Sequence, residues 1–98
     1  LLNEGQTVFV NVTADWCVTC QVNETMVLGT SKVQSGLSDV TYLKLDWTQK
    51  NEDISAYLQS FNRQGIPFYA VYQPGKPVKI LNQILTVPEV LDAIKTNN

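Results

Sequence analysis

The stretch Thr7–Cys20, TVFVNVTADWCVTC, decides the fold class because it joins an apolar strand to both cysteines of the chain. Its first half, residues 7–13, is rich in valine and nearly continuously apolar, which is typical of a central strand covered on both faces. Cys17 and Cys20 come immediately after this strand. The pattern therefore predicts a buried strand that ends at a CxxC pair.

The rest of the chain alternates between helical and strand patterns. The predicted elements are a helix from Val18 to about Val27, a short helix capped by Ser31 and running through Leu37, a strand at Val40–Asp46, a helix capped by Asn51, a hairpin of strands at Phe68–Tyr72 and Val78–Leu81, and a last helix that starts with a Thr86–Glu89 capping box. This order predicts an α/β fold with a central mixed β-sheet flanked by helices on both faces.

Composition narrows the classes of function. An apolar share of 44% and a charged share of 16% describe an ordinary globular domain, and 98 residues suit one compact core. The net charge is −2 and the basic residues are scattered, so nucleic acid is not expected as a partner. No apolar run approaches the roughly 20 residues that span a bilayer. Residues 1–5, LLNEG, are predicted to be the end of a helix just ahead of the first strand. Because the chain opens this abruptly, we expect residues 1–98 to be a single domain of a larger protein.

The two cysteines admit three interpretations. A zinc site needs about four ligands, and a chain with two cysteines and no histidine can supply one only if it shares the metal with another chain or completes the set with carboxylates. A purely structural disulfide would add little stability, because stabilisation grows with the length of the closed loop and these cysteines are only three residues apart. A redox-active pair is the third interpretation, and it needs neither a metal nor an organic cofactor.

The redox interpretation gives each cysteine a reason for its position. If the helix begins at the pair, Cys17 lies at the helix N-terminus, where free backbone N–H groups and the helix dipole stabilise a thiolate. Cys20 is three residues further on and turned toward the domain, so it can resolve a mixed disulfide made by Cys17. A CxxC that follows a buried strand and opens a helix is a strong redox signal.

Longer motifs carry a family resemblance. FVNVTADWCVTC, followed later by GIP before a strand, resembles the thioredoxin superfamily over nearly the whole chain, apart from a missing leading strand and most of its helix. Within that superfamily, ADWCVTCQVNE together with LDWT and GIPFYAVY is most similar to the C-terminal periplasmic domain of the DsbD family of thiol:disulfide interchange proteins, including its ScsB-like members. The resemblance implies a thioredoxin-like fold.

The resemblance also implies a place in an electron relay. Such a domain takes electrons from a membrane-embedded thiol pair and passes them to partner disulfides, including those of the N-terminal domain of its parent protein. This implies a periplasmic domain of an inner-membrane protein, acting as a monomer. A free-standing thioredoxin-like reductase and a redox-inert interaction module with a structural disulfide are the alternatives.

Residues beside the thiols are expected to contact partner proteins. Trp16 is either an active-site shield that offers an apolar contact or a core aromatic. Val18 and Thr19 replace the Gly-Pro found between the cysteines of thioredoxin itself. Pro67 occupies the place of the superfamily's cis-proline, and the cis bond that the resemblance implies would leave the backbone of Ile66 free to pair with an extended substrate strand beside the nucleophile.

Two further residues are expected to modulate the thiols. Glu24 lies four residues after Cys20 and seven after Cys17, so on a helix it shares their face. An acid occupies this place in the DsbD motif, and a carboxylate there could oppose thiolate formation or relay a proton. Asn11 stands where thioredoxins carry a buried aspartate, and an amide cannot titrate, so a core hydrogen-bonding role is favoured.

Overall fold

The computed structural model describes residues 6–49, 51–63 and 65–95, so the predicted helix end at residues 1–5 lies outside it. A four-stranded mixed sheet forms the centre of this part of the chain, in the order β2-β1-β3-β4. Its strands are β1 (Val8–Thr13), β2 (Thr41–Asp46), β3 (Phe68–Tyr72) and β4 (Lys79–Ile80). β1 pairs parallel with β2 and antiparallel with β3, and β3 pairs antiparallel with β4. The sheet is therefore mixed, as predicted.

Strand β1 is a central strand because all six of its residues are buried. Alternate side chains of a strand point to opposite faces, and the core divides accordingly. Val8, Val10 and Val12 belong to one apolar cluster, and Phe9 belongs to another. The continuous apolar run that predicted this strand thus supplies both cores at once.

Four α-helices within the described part of the chain cover the two faces of the sheet. They are α1 (Val18–Asn23), which continues as a π-helical turn at Glu24–Leu28, α2 (Ser31–Gly36), which continues as a 3₁₀ turn at Leu37–Asp39, α3 (Glu52–Gln59) and α4 (Val87–Ile94). The cluster around Phe9 includes residues of the π-helical turn, α2 and α4, whereas the cluster around Val10 includes Leu58 of α3. Helices therefore lie on both faces of the sheet, as predicted.

Local hydrogen bonds correct two predicted caps. Thr30, not Ser31, is the N-cap of α2, because its hydroxyl accepts from the backbone N–H of Val33 at 3.4 Å. At α4 the Thr86 hydroxyl accepts from the Glu89 N–H as predicted, but the Glu89 carboxylate accepts from the backbone N–H of Asn82 instead of completing the box. The last helix is therefore tied to the loop that precedes it.

Gly29 closes the π-helical turn. Its N–H donates to the carbonyl of Glu24 at 2.7 Å, which is the i→i+5 bond of that turn. A Cβ at this position would lie 2.9 Å from the same carbonyl oxygen, closer than real Cβ contacts come. The glycine that interrupted the predicted helix is therefore required by the close approach of the backbone at the helix end.

Candidate active site

Cys17 and Cys20 form a disulfide at the carboxyl end of β1, with their Cα atoms 5.2 Å apart. Cys17 is the N-cap of α1, and its sulfur accepts a hydrogen bond from the backbone N–H of Cys20 at 3.1 Å. The exposed fraction of Cys17 is 6%, whereas that of Cys20 is 0%. The start of the helix thus faces the Cys17 sulfur, and Cys17 retains slight exposure whereas Cys20 is enclosed.

The backbone around the pair is held by short-range hydrogen bonds. The N–H of Cys17 donates to the Ala14 carbonyl at 3.2 Å, which closes the turn between β1 and α1. The Cys17 carbonyl accepts from the N–H of Gln21 at 3.1 Å, and the Gln21 side-chain amide donates to the Asp15 carbonyl. These bonds set the position of the nucleophile candidate relative to the helix axis.

Trp16 is 56% exposed, which excludes the core-aromatic alternative. Its indole N–H donates to the Thr48 carbonyl at 2.9 Å, and the Asp15 backbone N–H donates to the Thr48 hydroxyl at 2.9 Å. Its ring also lies against Trp47, with centroids 6.3 Å apart. The loop after β2 therefore holds Trp16 beside the disulfide.

Asp46 and Thr48 are site residues that sequence reasoning did not identify. The Asp46 carboxylate accepts from the backbone N–H and the hydroxyl of Thr48, at 2.9 and 2.5 Å. Both bonds favour the charged form and hold the pKa of Asp46 below its usual value, and the bond from the Thr48 hydroxyl has the larger effect. The available signal was the Asp-x-Thr spacing in LDWT, since an aspartate before a turn commonly bonds the backbone two residues on.

The segment before β3 also reaches the disulfide. The peptide bond between Ile66 and Pro67 is cis, which confirms that prediction. Ile66 is half-buried and packs against the small cluster formed by Ala14, Cys17 and Cys20. The fold thus brings the Ile66–Pro67 segment to the thiol pair, although the two are distant in sequence. Val18 and Thr19 are exposed.

Glu24 and Asn11 lie in a polar network behind the helix. The Glu24 carboxylate accepts from the Thr13 hydroxyl at 2.8 Å, and it lies 3.5 Å from the Lys44 ammonium. Asn11 is fully buried, its amide N–H donates to the Tyr42 hydroxyl at 2.7 Å, and its Oδ1 has no hydrogen-bond partner among the described residues. Asn11 is therefore a core amide, as favoured from its residue type.

Two tyrosines near Glu24 have a raised pKa, mainly because they are buried. Burial raises the pKa of Tyr42, and the Glu24 charge adds to that effect. Burial, with a contribution from Glu24, raises the pKa of Tyr69 to about 12. Glu24, Tyr42 and Lys44 line a groove of about 340 Å³. The described contacts of Glu24 go to β1 and β2, so its effect on the thiols stays a prediction.

The sequence of this chain is similar to those of known proteins. The family model described as thioredoxin-like matches residues 1–74. The chain belongs to the thioredoxin-like family. Thioredoxin-like relatives include the thiol:disulfide interchange protein DsbD of Pseudomonas sp. (strain JR1 / K1), 41% identical over 64 residues, which are 65% of this chain and 11% of the relative. DsbD of Ralstonia nicotianae is 31% identical over 80 residues, 79% of this chain and 13% of the relative.

Comparison with solved structures shows that the fold is thioredoxin-like. The reduced C-terminal domain of Neisseria meningitidis DsbD has a TM-score of 0.79 at 19% identity, covering 95% of this chain and 84% of that one. A thioredoxin from Thermus thermophilus has a TM-score of 0.71 at 16% identity, covering 95% of this chain and 74% of that one. The resemblance to the DsbD family is confirmed, and the chain spans 11% to 13% of the length of these two DsbD relatives. No helix among the described residues is long and apolar enough to cross a membrane.

Proposed function

We propose that this chain is a thiol:disulfide oxidoreductase domain that reduces disulfides of partner proteins, with Cys17 as the nucleophile and Cys20 as the resolving thiol. The observation that carries the proposal is the difference between the two sulfurs. The Cys17 sulfur accepts the N–H of Cys20 at the start of α1 and retains some exposure, whereas Cys20 is fully enclosed. An N–H bond of this kind favours a thiolate at Cys17.

The exchange proceeds in two displacements. In the reduced domain the Cys17 thiolate attacks one sulfur of the partner disulfide, and the other partner sulfur leaves as a thiolate that takes a proton. The Cys20 thiol then loses its proton and attacks the Cys17 sulfur of the mixed disulfide, so the second partner sulfur leaves. Two electrons pass to the partner, and the domain ends as the Cys17–Cys20 disulfide.

The surrounding residues take supporting roles in this proposal. Trp16, Val18 and Thr19 are exposed beside the pair and would contact the partner. The Ile66–Pro67 segment, in which Ile66 packs against the cysteines, would pair with an extended strand of the substrate. Glu24 and Asn11 would modulate the thiols.

The direction of electron flow is the finer part of the proposal. The curated relatives are named thiol:disulfide interchange proteins and are much longer than this chain. By that relationship, residues 1–98 act as one monomeric periplasmic domain of an inner-membrane protein. The domain receives electrons from a membrane-embedded thiol pair and passes them to periplasmic partner domains, including the N-terminal domain of the same protein.

Trapping of the mixed disulfide tests the assignment. Cys20→Ser should leave partners covalently attached to Cys17, because the thiol that expels them is gone. Cys17→Ser should trap almost nothing. Both variants are expressed within the parent protein and examined by non-reducing electrophoresis with mass spectrometry. The relay also predicts that the trapped species include the membrane portion and the periplasmic partner domain.

Each part of the proposal can fail separately in that experiment. Equal trapping by both variants would contradict the roles of the two cysteines, and trapping of cytosolic proteins alone would contradict the relay. A disulfide that stays oxidised in glutathione or dithiothreitol buffers of steadily lower potential would instead identify a structural bridge.

A further inference from the structure

The exposed side of the helix that begins at the disulfide carries no charge. Its solvent-facing residues are Val18, Thr19, Gln21, Val22, Thr25 and Met26. Glu24 is the one charged residue of this helix, and its carboxylate is engaged by Thr13 and Lys44. The other α-helices do expose charged residues, which are Lys32 on α2, Glu52 and Asp53 on α3, and Asp92 on α4. The absence of charge is therefore particular to the helix beside Cys17.

Three apolar side chains run along this uncharged side, and we call them the apolar stripe: Val18, Val22 and Met26. Their exposed fractions are 72%, 52% and 66%. Residues four apart are neighbours on a helix surface, and eight helical residues cover about 12 Å. The stripe begins next to Cys17 and leads directly away from it. Large exposed apolar side chains in a contiguous row mark interaction sites.

A buried amide holds a second element beside the same helix. Asn23 is 2% exposed, and its side-chain N–H groups donate to the Gln83 carbonyl at 2.8 Å and to the Tyr69 hydroxyl at 2.9 Å. Its Oδ1 accepts from the Leu85 N–H at 3.2 Å. Asn23 therefore holds the loop before α4 beside α1, and Ile84, between the two bonded loop residues, is 73% exposed.

We infer that the apolar stripe and Ile84 form the docking surface for a folded partner protein whose own surface is apolar and uncharged beside its disulfide. Because this partner is the protein whose disulfide Cys17 attacks, the assignment rests on the proposed function. Val18 directly follows Cys17 and is 72% exposed, so it lies close to any partner whose sulfur reaches Cys17. Transient redox interfaces are small, at most about 600 Å² on each partner, but a patch of that area still extends beyond the thiols. Met26, about 12 Å along the helix, is within reach of such a patch.

The lack of charge on this side of the helix indicates that the partner surface is apolar and uncharged. Interface centres are poor in charged residues, and burying an unpaired charge there is costly. A partner with an acidic or basic face would find no opposite charge on this side of the helix. A second copy of this chain would set stripe against stripe and cover Cys17 in both copies, which would block the exchange. A different protein with an apolar face is the occupant that leaves the exchange possible.

Two disulfide probes of different size test the docking surface. The reduced chain is mixed with insulin, a protein disulfide, or with glutathione disulfide, and the rate constant of each exchange is measured. The double variant Val22→Gln/Met26→Gln should reduce insulin about tenfold more slowly, because two apolar side chains no longer lose water on binding. Its rate with glutathione disulfide should change less than about twofold, because so small a probe meets only the thiols and their immediate neighbours.

A matched control separates docking from a general loss of apolar surface. Leu43 on β2 is 37% exposed, so Leu43→Gln makes the same chemical change away from the stripe and should leave both rates unchanged. Circular dichroism and thermal unfolding show that each variant is folded. An unchanged insulin rate in the double variant would overturn the docking surface, as would an equal fall with both probes.

Two further outcomes are distinct. A wild-type dimer in sedimentation that dissociates in the double variant would assign the stripe to a second copy and overturn the partner proposed here. If the wild-type chain reduces neither probe faster than Cys17→Ser, the proposed function itself fails, and the docking of a disulfide partner fails with it. The docking surface is supported if the double variant reduces insulin slowly but glutathione disulfide at the normal rate. The proposed function is supported if Cys17→Ser is inactive on both probes.

Discussion

At the scale of single residues, the position of Trp16 depends on a hydrogen-bonded turn in another part of the chain. Thr48 accepts from Trp16 and from the backbone of Asp15, and it donates to the Asp46 carboxylate in turn. The Asp46 charge therefore acts on the site through Thr48, without contacting the thiols in any described bond. A carboxylate that is stabilised by such bonds is sensitive to acid.

We expect the contribution of Asp46 to stability to disappear in acid. Its folded pKa lies below the unfolded value of about 3.9, so the contribution is fully present above that value and is lost as the pH falls through the folded pKa. The difference in free energy of unfolding between the wild type and Asp46→Asn should therefore narrow below about pH 4. Urea unfolding at a series of pH values measures it.

The Thr48→Val variant gives an independent check of the same turn. It removes the hydroxyl that donates to Asp46, so the pKa of Asp46 should rise toward its usual value and the acid-dependent loss should shrink. Parallel stability curves for the wild type and Asp46→Asn from neutral to acid pH would contradict the role assigned to this carboxylate.

At the scale of elements, the caps show how short-range hydrogen bonds choose helix ends. Thr30 and Ser31 are adjacent and both are good N-cap residues, so their types alone do not decide between them. The tight ending of the preceding π-helical turn at Gly29 places Thr30 in the extended conformation that an N-cap requires. Its hydroxyl also donates to the Val27 carbonyl at 2.7 Å, which joins the two helices.

The two adjacent hydroxyls make a matched pair of substitutions. Thr30→Ala should lower the free energy of unfolding by about 0.5 to 2 kcal/mol, because a cap is lost at α2. Ser31→Ala, inside the helix, should change it by less than about 0.5 kcal/mol. Chemical unfolding of both variants measures the difference, and equal losses would show that Thr30 is not the cap.

At the scale of the whole molecule, Glu24 joins three elements around the back of the site. It lies in the helix that carries the cysteines, accepts from Thr13 of β1, and pairs with Lys44 of β2. Its side chain is 28% exposed and lines a groove, so its charge is only partly screened by solvent. Lys44 offsets that charge, and the balance between them is expected to affect the thiols.

Removing the Glu24 charge and removing the Lys44 charge should shift the Cys17 pKa in opposite directions. Glu24→Gln should lower the pKa of the reduced Cys17, because a like charge that opposes the thiolate is gone. Lys44→Met should raise it, because Glu24 is no longer offset. Lys79 makes a comparable ion pair with Asp92, so Lys79→Met is the matched control and should leave the Cys17 pKa unchanged. Thiolate absorbance as a function of pH measures all three variants.

The outcome of that titration decides the role of Glu24. No downward shift in Glu24→Gln would leave this residue as a structural partner of Thr13 and Lys44, with no effect on the chemistry. A downward shift in Lys44→Met would contradict the proposed balance of charges.

The local features of this protein follow from its sequence by itself. The local features are the continuous apolar run of β1, the helical spacing of Ile54, Tyr57 and Leu58 in α3, the Asn51 cap and the CxxC at a helix start. Each depends on residues within one strand or a few helical turns. Such patterns are set by side-chain periodicity and hydrogen bonds to nearby backbone, which do not require a particular arrangement of distant elements. The fold class followed from their order, and the cis bond from the family resemblance.

The surroundings of the thiols were decided only by the tertiary structure. Trp16 and Thr48 are 32 positions apart, Asn11 and Tyr42 are 31 apart, and Asn23 meets Gln83 across 60. Each pairing depends on strand order and register, because a parallel β1–β2 pair sets the end of β2 beside the end of β1. No pattern along the chain specifies which polar groups will share a buried space. The cysteine pair could therefore be recognised from neighbouring residues in the sequence. The contacts that position and shield it could not, because they join residues that are distant along the chain.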